Sequence, residues 1–251
     1  MKVSLCIYSF KHIIQYIMNI MNNNIIVSIE GNIGSGKSTL LTNLKQQYKT
    51  NDKIIFVDEP VKEWSKIRDA DNKNIIEKFY ENTEKYSFPF QMLAYISRLK
   101  AFMNILQNVN NKIIISERSL YTDEHVFAKM LYDTNKMDHI SHKIYLQWVT
   151  TFSTIKTHKI IYVRTLPTIC HLRILTRNRE GENINMQYVN DCHTYHDDMI
   201  KTLSNDTDIE IMHLDGNVGI YKFKFTLELW KEKTYSFLKL NRENNEKIHE
   251  F

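Results

Sequence analysis

Residues 25–39 read IIVSIEGNIGSGKST: strand formers from Ile25 to Ile29, then Gly31 to Thr39 completing the pattern G-x-x-x-x-G-K-[ST]. A helical apolar pattern at Leu40, Leu41 and Leu44 follows. Strand, glycine loop and helix in that order make a phosphate-binding loop. Its glycines let successive backbone N–H groups turn inward around the phosphates of a nucleoside triphosphate such as ATP. Gly31, Asn32, Ile33, Gly34, Ser35, Gly36 and Thr39 form the cradle, and Lys37 reaches the β- and γ-phosphates. The Ser38 hydroxyl can hold Mg²⁺ at the start of the helix, whose dipole favours negative charge.

Four further apolar runs read as buried parallel strands: Ile54 to Val57, Ile113 to Ile115, Ile160 to Val163, and Ile209 to Leu214. Helical patterns separate them, so the expected fold is α/β: a doubly wound, five-stranded parallel sheet of the P-loop NTPase type, flanked by long helices. Ligands in such sheets lie beyond the carboxyl ends of the strands. Those ends carry Asp58-Glu59-Pro60, Glu117-Arg118-Ser119 and Arg164-Thr165. Two carboxylates and two guanidiniums beside one phosphate loop are a catalytic signature.

The chain has 251 residues, 43% of them hydrophobic, enough for one sizeable core, and no Pro/Gly/Ser-rich seam divides it. Only six glycines and three prolines interrupt the helical stretches. The net charge of +4 is spread along the chain without the Lys/Arg clusters of a nucleic-acid groove; a small polyanionic ligand accounts for it. Cys6, Cys170 and Cys192 form no C-x-x-C pair, which points to a reducing compartment, the cytoplasm. The apolar stretch from Ile13 to Met21 is broken by Gln15 and Asn19, is too short to span a bilayer and lacks a cleavage site. Residues 1–24 read as an appended extension, or as sequence upstream of a start at Met21; 25–240 as the catalytic domain; 241–251 as a polar tail.

Five segments, in order, resemble the deoxyribonucleoside kinase family, and most nearly its deoxycytidine and deoxyguanosine kinase branch. They are IEGNIGSGKST, DEPVKEW (Asp58 to Trp64), FPFQMLAYISR (Phe88 to Arg98), SERSLYTDEHVF (Ser116 to Phe127) and RILTRNRE (Arg173 to Glu180), and the likeness runs from Ile25 to about Phe237. It implies a homodimer, and transfer of phosphate from a nucleoside triphosphate to the 5′-hydroxyl of a deoxynucleoside with Mg²⁺.

Phosphoryl transfer needs positioned groups and charge neutralisation more than covalent help. Lys37, Ser38 with Mg²⁺, and Arg118 fit that demand. Glu59 is similar to the family's carboxylate base and Glu117 to the carboxylate that helps hold Mg²⁺; the two roles are not separable in the sequence. Arg173 and Arg177 share a helical face and, with Arg179, match the family's phosphate-closing lid. After them the spacing departs from the family, so either Glu180 or Glu182 contacts the sugar 3′-hydroxyl.

For the nucleoside, Gln91 offers a carboxamide able to pair with a base edge, while Trp64, Phe90, Phe127 and Tyr80 offer flat walls, Tyr80 also reaching the 3′-hydroxyl in the family. In the family Arg98 pairs with the carboxylate found here as Asp123, an ion pair facing the base that thymidine-preferring relatives replace with apolar residues. Cys192, His193, His196 and Asp197 have metal-ligand types, but the family's similar helix holds no metal. The helices expected over 86–108 and 140–152 are apolar on more than one face, as burial against a second subunit requires. Competing readings are a thymidine kinase; a nucleoside monophosphate kinase, which needs extra arginines for the acceptor phosphate; and a non-catalytic nucleotide-binding module.

Overall fold

The computed structural model describes residues 23–152, 155–179, 181–217 and 224–240. Residues 1–22 of the expected extension 1–24, the expected tail 241–251 and Glu180 lie outside the described residues. The sheet has five strands: β1 (Ile25–Glu30), β2 (Ile54–Val57), β3 (Ile113–Glu117), β4 (Lys159–Arg164) and β5 (Glu210–Asp215). All neighbours pair in parallel, in the order β2-β3-β1-β4-β5. The chain winds to one side of β1 for β2 and β3, then crosses to the other for β4 and β5. Each apolar run forms the expected strand, and the fifth begins one residue later than the sequence pattern indicates.

Alternate residues of β1 point to opposite faces. Val27 and Ile29 pack with Leu40, Leu41 and Leu44 of α1 (Lys37–Gln47) and with Trp230 of α9 (Lys224–Phe237). Ile26 faces the other layer, with Tyr95 and Phe102 of α4 (Thr83–Leu106) and Tyr145 and Val149 of α6 (His139–Phe152). Register fixes where the site forms. Ile29 pairs with Glu117 and Val57 with Ser116, so the phosphate loop, Glu59 and Glu117 leave the sheet at one level.

Between β2 and α4 lie α2 (Val61–Trp64) and α3 (Ile75–Glu81). The Asn74 side chain accepts from the backbone of Ile76 and Glu77 while Glu77 bonds back to Asn74, a capping box that starts α3. Asn82 accepts from the Lys85 amide and starts α4 at Thr83, three residues before the expected start, so Pro89 falls inside the helix and removes one backbone bond there. A π-helix spans Thr122–Ala128, continued by α5 (Lys129–Asp133). Beyond β4 come α7 (Pro167–Arg177), with proline at its start, and α8 (Met186–Leu203), capped by Asn185. Among the described residues no helix is long and apolar enough to cross a membrane.

The doubly apolar helices need one correction. Tyr95, Phe102, Tyr145 and Val149 are buried within the subunit, where Tyr95 and Tyr145 meet edge to face at 5.8 Å and the Tyr95 hydroxyl donates to the Val149 carbonyl. The apolar side chains left exposed are Ile96 on α4 and Ile140, Ile144 and Trp148, spaced four apart along α6. Packing of α4 on α6 satisfies the first face; the second remains open.

Candidate active site

The phosphate loop closes against β4 and α7. A Cβ on Gly31 would stand 2.4 Å from the Val163 carbonyl oxygen, and one on Gly34, whose φ is 78°, 2.5 Å from that of Cys170. Only glycine fits at either place. The start of α1 has no side-chain cap, which leaves its first N–H groups directed at the loop's interior. Lys37 is buried and its Nζ donates to the Asn32 carbonyl at 2.7 Å. Burial, with repulsion from Arg118, lowers the Lys37 pKa to about 8. The Ser38 hydroxyl donates to Glu117 Oε1 at 2.7 Å.

Glu59, just beyond β2, is held by two guanidiniums. Arg118 Nη1 donates to its Oε1 at 3.1 Å and Arg98 Nη2 to the same oxygen at 3.3 Å. Burial would raise the Glu59 pKa, but Arg118, Arg98 and Lys37 outweigh it and hold the carboxyl well below the usual range. Arg118 follows β3 with φ of 64°, and its guanidinium lies 5.1 Å over the Phe127 ring.

Arg98, deep in α4, does not reach the cavity wall. Its Nε donates to Asp123 Oδ2 at 2.9 Å and its Nη1 to the Glu117 carbonyl at 2.7 Å. Burial alone would lower the Arg98 pKa; Asp123 and Glu59 outweigh it and raise it. The geometry thus stacks Arg98 behind Asp123 and Glu59, both of which line the cavity.

One cavity of about 1460 Å³ joins these groups. That exceeds the roughly 300–1,000 Å³ of a typical single-ligand site and suits two ligands end to end. Its wall includes Lys37, Ser38 and Thr39 of the phosphate loop and α1, the arginines Arg173, Arg177 and Arg179, the side chains of Trp64, Tyr80, Phe90, Gln91, Asp123, Phe127 and Glu182, and the strand-end residues Glu59, Glu117 and Arg118. Trp64 and Phe90 meet edge to face at 5.4 Å, as do Tyr80 and Tyr188 at 6.0 Å. Gln91 is buried, and its Oε1 has no hydrogen-bond partner among the described residues.

The three arginines expected in a lid make different contacts. Arg173 Nη1 donates to the Ser35 carbonyl at 3.1 Å and its Nη2 to that of Gly216 at 2.8 Å, tying α7 to the phosphate loop. Arg177 Nη2 and Arg179 Nη1 both donate to Glu182, at 2.5 and 3.0 Å. Glu182 also sits within electrostatic reach of Tyr80, whose pKa rises chiefly through burial and then through Glu182.

Two strand-end expectations divide. Arg164 does not join the cavity, because its guanidinium turns outward onto Asp197, with Nη2 to Oδ2 at 2.7 Å. The residues of α8 that have metal-ligand types also separate. His193 and Asp197 gather around Arg164, whereas buried His196 directs Nδ1 at the Cys192 carbonyl at 2.6 Å. Sequence reasoning passed over Glu30, the wholly buried end of β1, and the π-helix that carries Asp123 and Phe127. The strand-end rule that found Glu59 and Glu117 points to Glu30 as well, had it been applied to the first strand.

A family model described as deoxynucleoside kinase matches residues 27–238. The chain is 32% identical over 240 residues to deoxycytidine kinase 1 of Xenopus laevis, covering 84% of this chain and 89% of that one. It is 30% identical over 240 residues to human deoxycytidine kinase, covering 84% and 90%. With the probable deoxycytidine kinase of fowlpox virus (strain NVSL) the identity is 33% over 195 residues, covering 76% and 77%. A glycine phosphate loop, aromatic side chains and an ion-paired carboxylate on one cavity wall agree with these matches: the chain belongs to the deoxynucleoside kinase family, on its deoxycytidine and deoxyguanosine kinase branch.

Proposed function

We propose that this kinase moves the γ-phosphate of ATP to the 5′-hydroxyl of deoxycytidine or a purine deoxynucleoside, with Glu59 as the base. The observation that carries this reading is the one cavity whose wall the ion-paired Glu59 and Arg118 share with the phosphate loop and with Trp64, Phe90 and Phe127. A deoxynucleoside inserted between Trp64, Phe90 and Phe127 directs its base edge toward Gln91 and Asp123. Its 3′-hydroxyl then meets Tyr80 and Glu182, and its 5′-hydroxyl faces Glu59.

The transferring phosphoryl group develops charge on its equatorial oxygens in a largely dissociative transition state. Lys37, the α1 amides and Arg118 neutralise that charge; Arg177 and Arg179 join them from the lid. In such a transition state the attacking hydroxyl loses its proton late, so a carboxylate of depressed pKa serves as the acceptor. Arg118 then releases Glu59 in part as it engages the phosphoryl oxygens, and the base strengthens when it is needed.

The donor set suits Mg²⁺. Ser38 and Glu117 present a hydroxyl and a carboxylate in contact at the loop's edge, oxygen ligands of the kind this ion takes beside substrate phosphates. The ion would supply charge neutralisation between the β- and γ-phosphates.

Base preference follows from Asp123. Its carboxylate, fixed by Arg98, accepts from an exocyclic amino group; thymine offers a carbonyl there, leaving polar groups unpaired at about 1–3 kcal/mol each. The second subunit of a homodimer covers the exposed stripe on α6. Kinetics on four deoxynucleosides, for the wild type and for an Arg98→Met, Asp123→Ala double variant, test the reading. We expect deoxycytidine or a purine deoxynucleoside to lead and the double variant to gain toward thymidine; a wild type that prefers thymidine contradicts it.

A further inference from the structure

Glu30 ends β1 immediately before Gly31, is wholly buried, and lies off the cavity wall. Its Oε2 accepts a hydrogen bond from the hydroxyl of Thr122, which is buried equally. Oε1 has no donor among the described residues. A carboxylate taken out of water needs compensation. Part of it comes from charge: burial depresses the pKa of Arg118 and of Arg98, carboxylates led by Glu59 and Asp123 restore them, and Glu30 adds to that restoring field.

The bond links two parts that otherwise belong to different halves of the site. One end is closely packed: next to Glu30, the backbone at Gly31 lies against the Val163 carbonyl with no space for a Cβ. The other end is the first residue of the π-helix Thr122–Ala128, and the next residue is Asp123. A π-helix is rarely stable by itself and tends to occur as a single turn at functional sites, so its position depends on what anchors it. Here the anchors at its start are Thr122 on Glu30 and Asp123 on Arg98.

We propose that Glu30 is a positioning residue for base recognition: through Thr122 it fixes the start of the π-helix against the phosphate loop, and so sets where Asp123 stands relative to the transferring phosphate. This rests on the reading of Asp123 as the carboxylate that faces the base.

The test uses the full chain and five variants: Thr122→Val, Thr122→Ser, Glu30→Gln, the Glu30→Gln/Thr122→Val pair, and Asp123→Asn as control. For each, KM and kcat are measured with ATP and with the best and worst of the four deoxynucleosides, and thermal unfolding reports the fold. Thr122→Val should raise KM for the preferred deoxynucleoside about tenfold, the scale of one hydrogen bond to a charged group, and compress the best-to-worst ratio. KM for ATP should stay within about twofold, and Thr122→Ser should restore the wild-type values. The pair should cost no more than Thr122→Val alone, because Glu30→Gln keeps a neutral acceptor and only weakens the link that Thr122→Val removes.

An unchanged ratio in Thr122→Val, a Thr122→Ser enzyme no better than Thr122→Val, or additive costs in the pair would overturn the proposal. So would unfolding of both Thr122→Val and Glu30→Gln, since the bond would then serve the fold alone. If Asp123→Asn leaves the ratio unmoved, the reading of Asp123 itself fails; if Asp123→Asn moves the ratio and Thr122→Val does not, only the positioning role of Glu30 fails.

Discussion

Arg118 sits in the left-handed region of backbone space at the end of β3, a conformation that costs a non-glycine residue about 1–3 kcal/mol. Its contacts with Glu59 and Phe127 hold it there, and the strained turn is what brings its guanidinium back over the cavity. Glu59 is the partner whose loss is most informative. Glu59→Gln keeps the size and one hydrogen-bond acceptor but not the base, so kcat should fall about 10²–10⁴-fold with thermal unfolding little changed. Retention of more than about a tenth of the rate would move the base role to Glu117. Lys37 supplies a pH test. Only its ammonium form binds phosphate, and its pKa is lowered to about 8, so kcat/KM for ATP should fall as pH rises through that value. Bound triphosphate raises the pKa again, so kcat should persist to higher pH; a kcat/KM profile flat across this range contradicts the role given to Lys37. These residues were legible in the sequence because strand ends and the glycine pattern mark them. Arg164 obeyed the same rule and yet turned outward, because Asp197 comes from α8, a partner far along the chain that no strand pattern reveals.

At the level of elements, β1 to β4 could be read from short β-branched runs, the signature of parallel strands buried on both faces, whereas β5, at the end of the strand order, is only partly buried and carries Glu210 and His213 within its run. The helix expected from 86 starts at Thr83, because the Asn82 side chain caps it there and leaves Pro89 inside the helix. The π-helix was not legible: TDEHVFA carries no periodicity that separates five-residue from four-residue hydrogen bonding. Caps give a stability prediction. Asn74→Ala removes both acceptor bonds of the α3 capping box and should cost about 1 kcal/mol, measured by denaturant unfolding. The segment after α7 gives a functional one. Glu182, held by Arg177 and Arg179 within reach of Tyr80, is the described candidate for the sugar 3′-hydroxyl. Glu182→Gln should raise KM for the deoxynucleoside about tenfold or more, the worth of a hydrogen bond to a charged group, with KM for ATP nearly unchanged. An unaltered deoxynucleoside KM would pass the role to Glu180.

Across the whole molecule, the fold gathers the phosphate loop, Glu59 and Glu117 on one cavity at the carboxyl ends of the strands, and parallel register is what levels them. Sequence pattern overestimated the surface left for a partner, because one apolar face of α4 and one of α6 meet each other through Tyr95 and Tyr145. Ile140, 70% exposed, and Trp148, 45% exposed, define the stripe that remains. Such patches on a monomer mark interaction sites. Light scattering should therefore give twice the chain mass of 30.0 kDa, and Trp148→Glu should return it to one chain; a wild type of single-chain mass excludes the homodimer. The central claim, that phosphate passes from ATP to a deoxynucleoside hydroxyl between Lys37 and Glu59, is tested most directly by identifying the product. With Mg²⁺, ATP and deoxycytidine, mass spectrometry should find deoxycytidine 5′-monophosphate and ADP in equal amounts. ADP formed without deoxycytidine monophosphate, or a monophosphate acceptor converted to diphosphate in its place, would contradict the account.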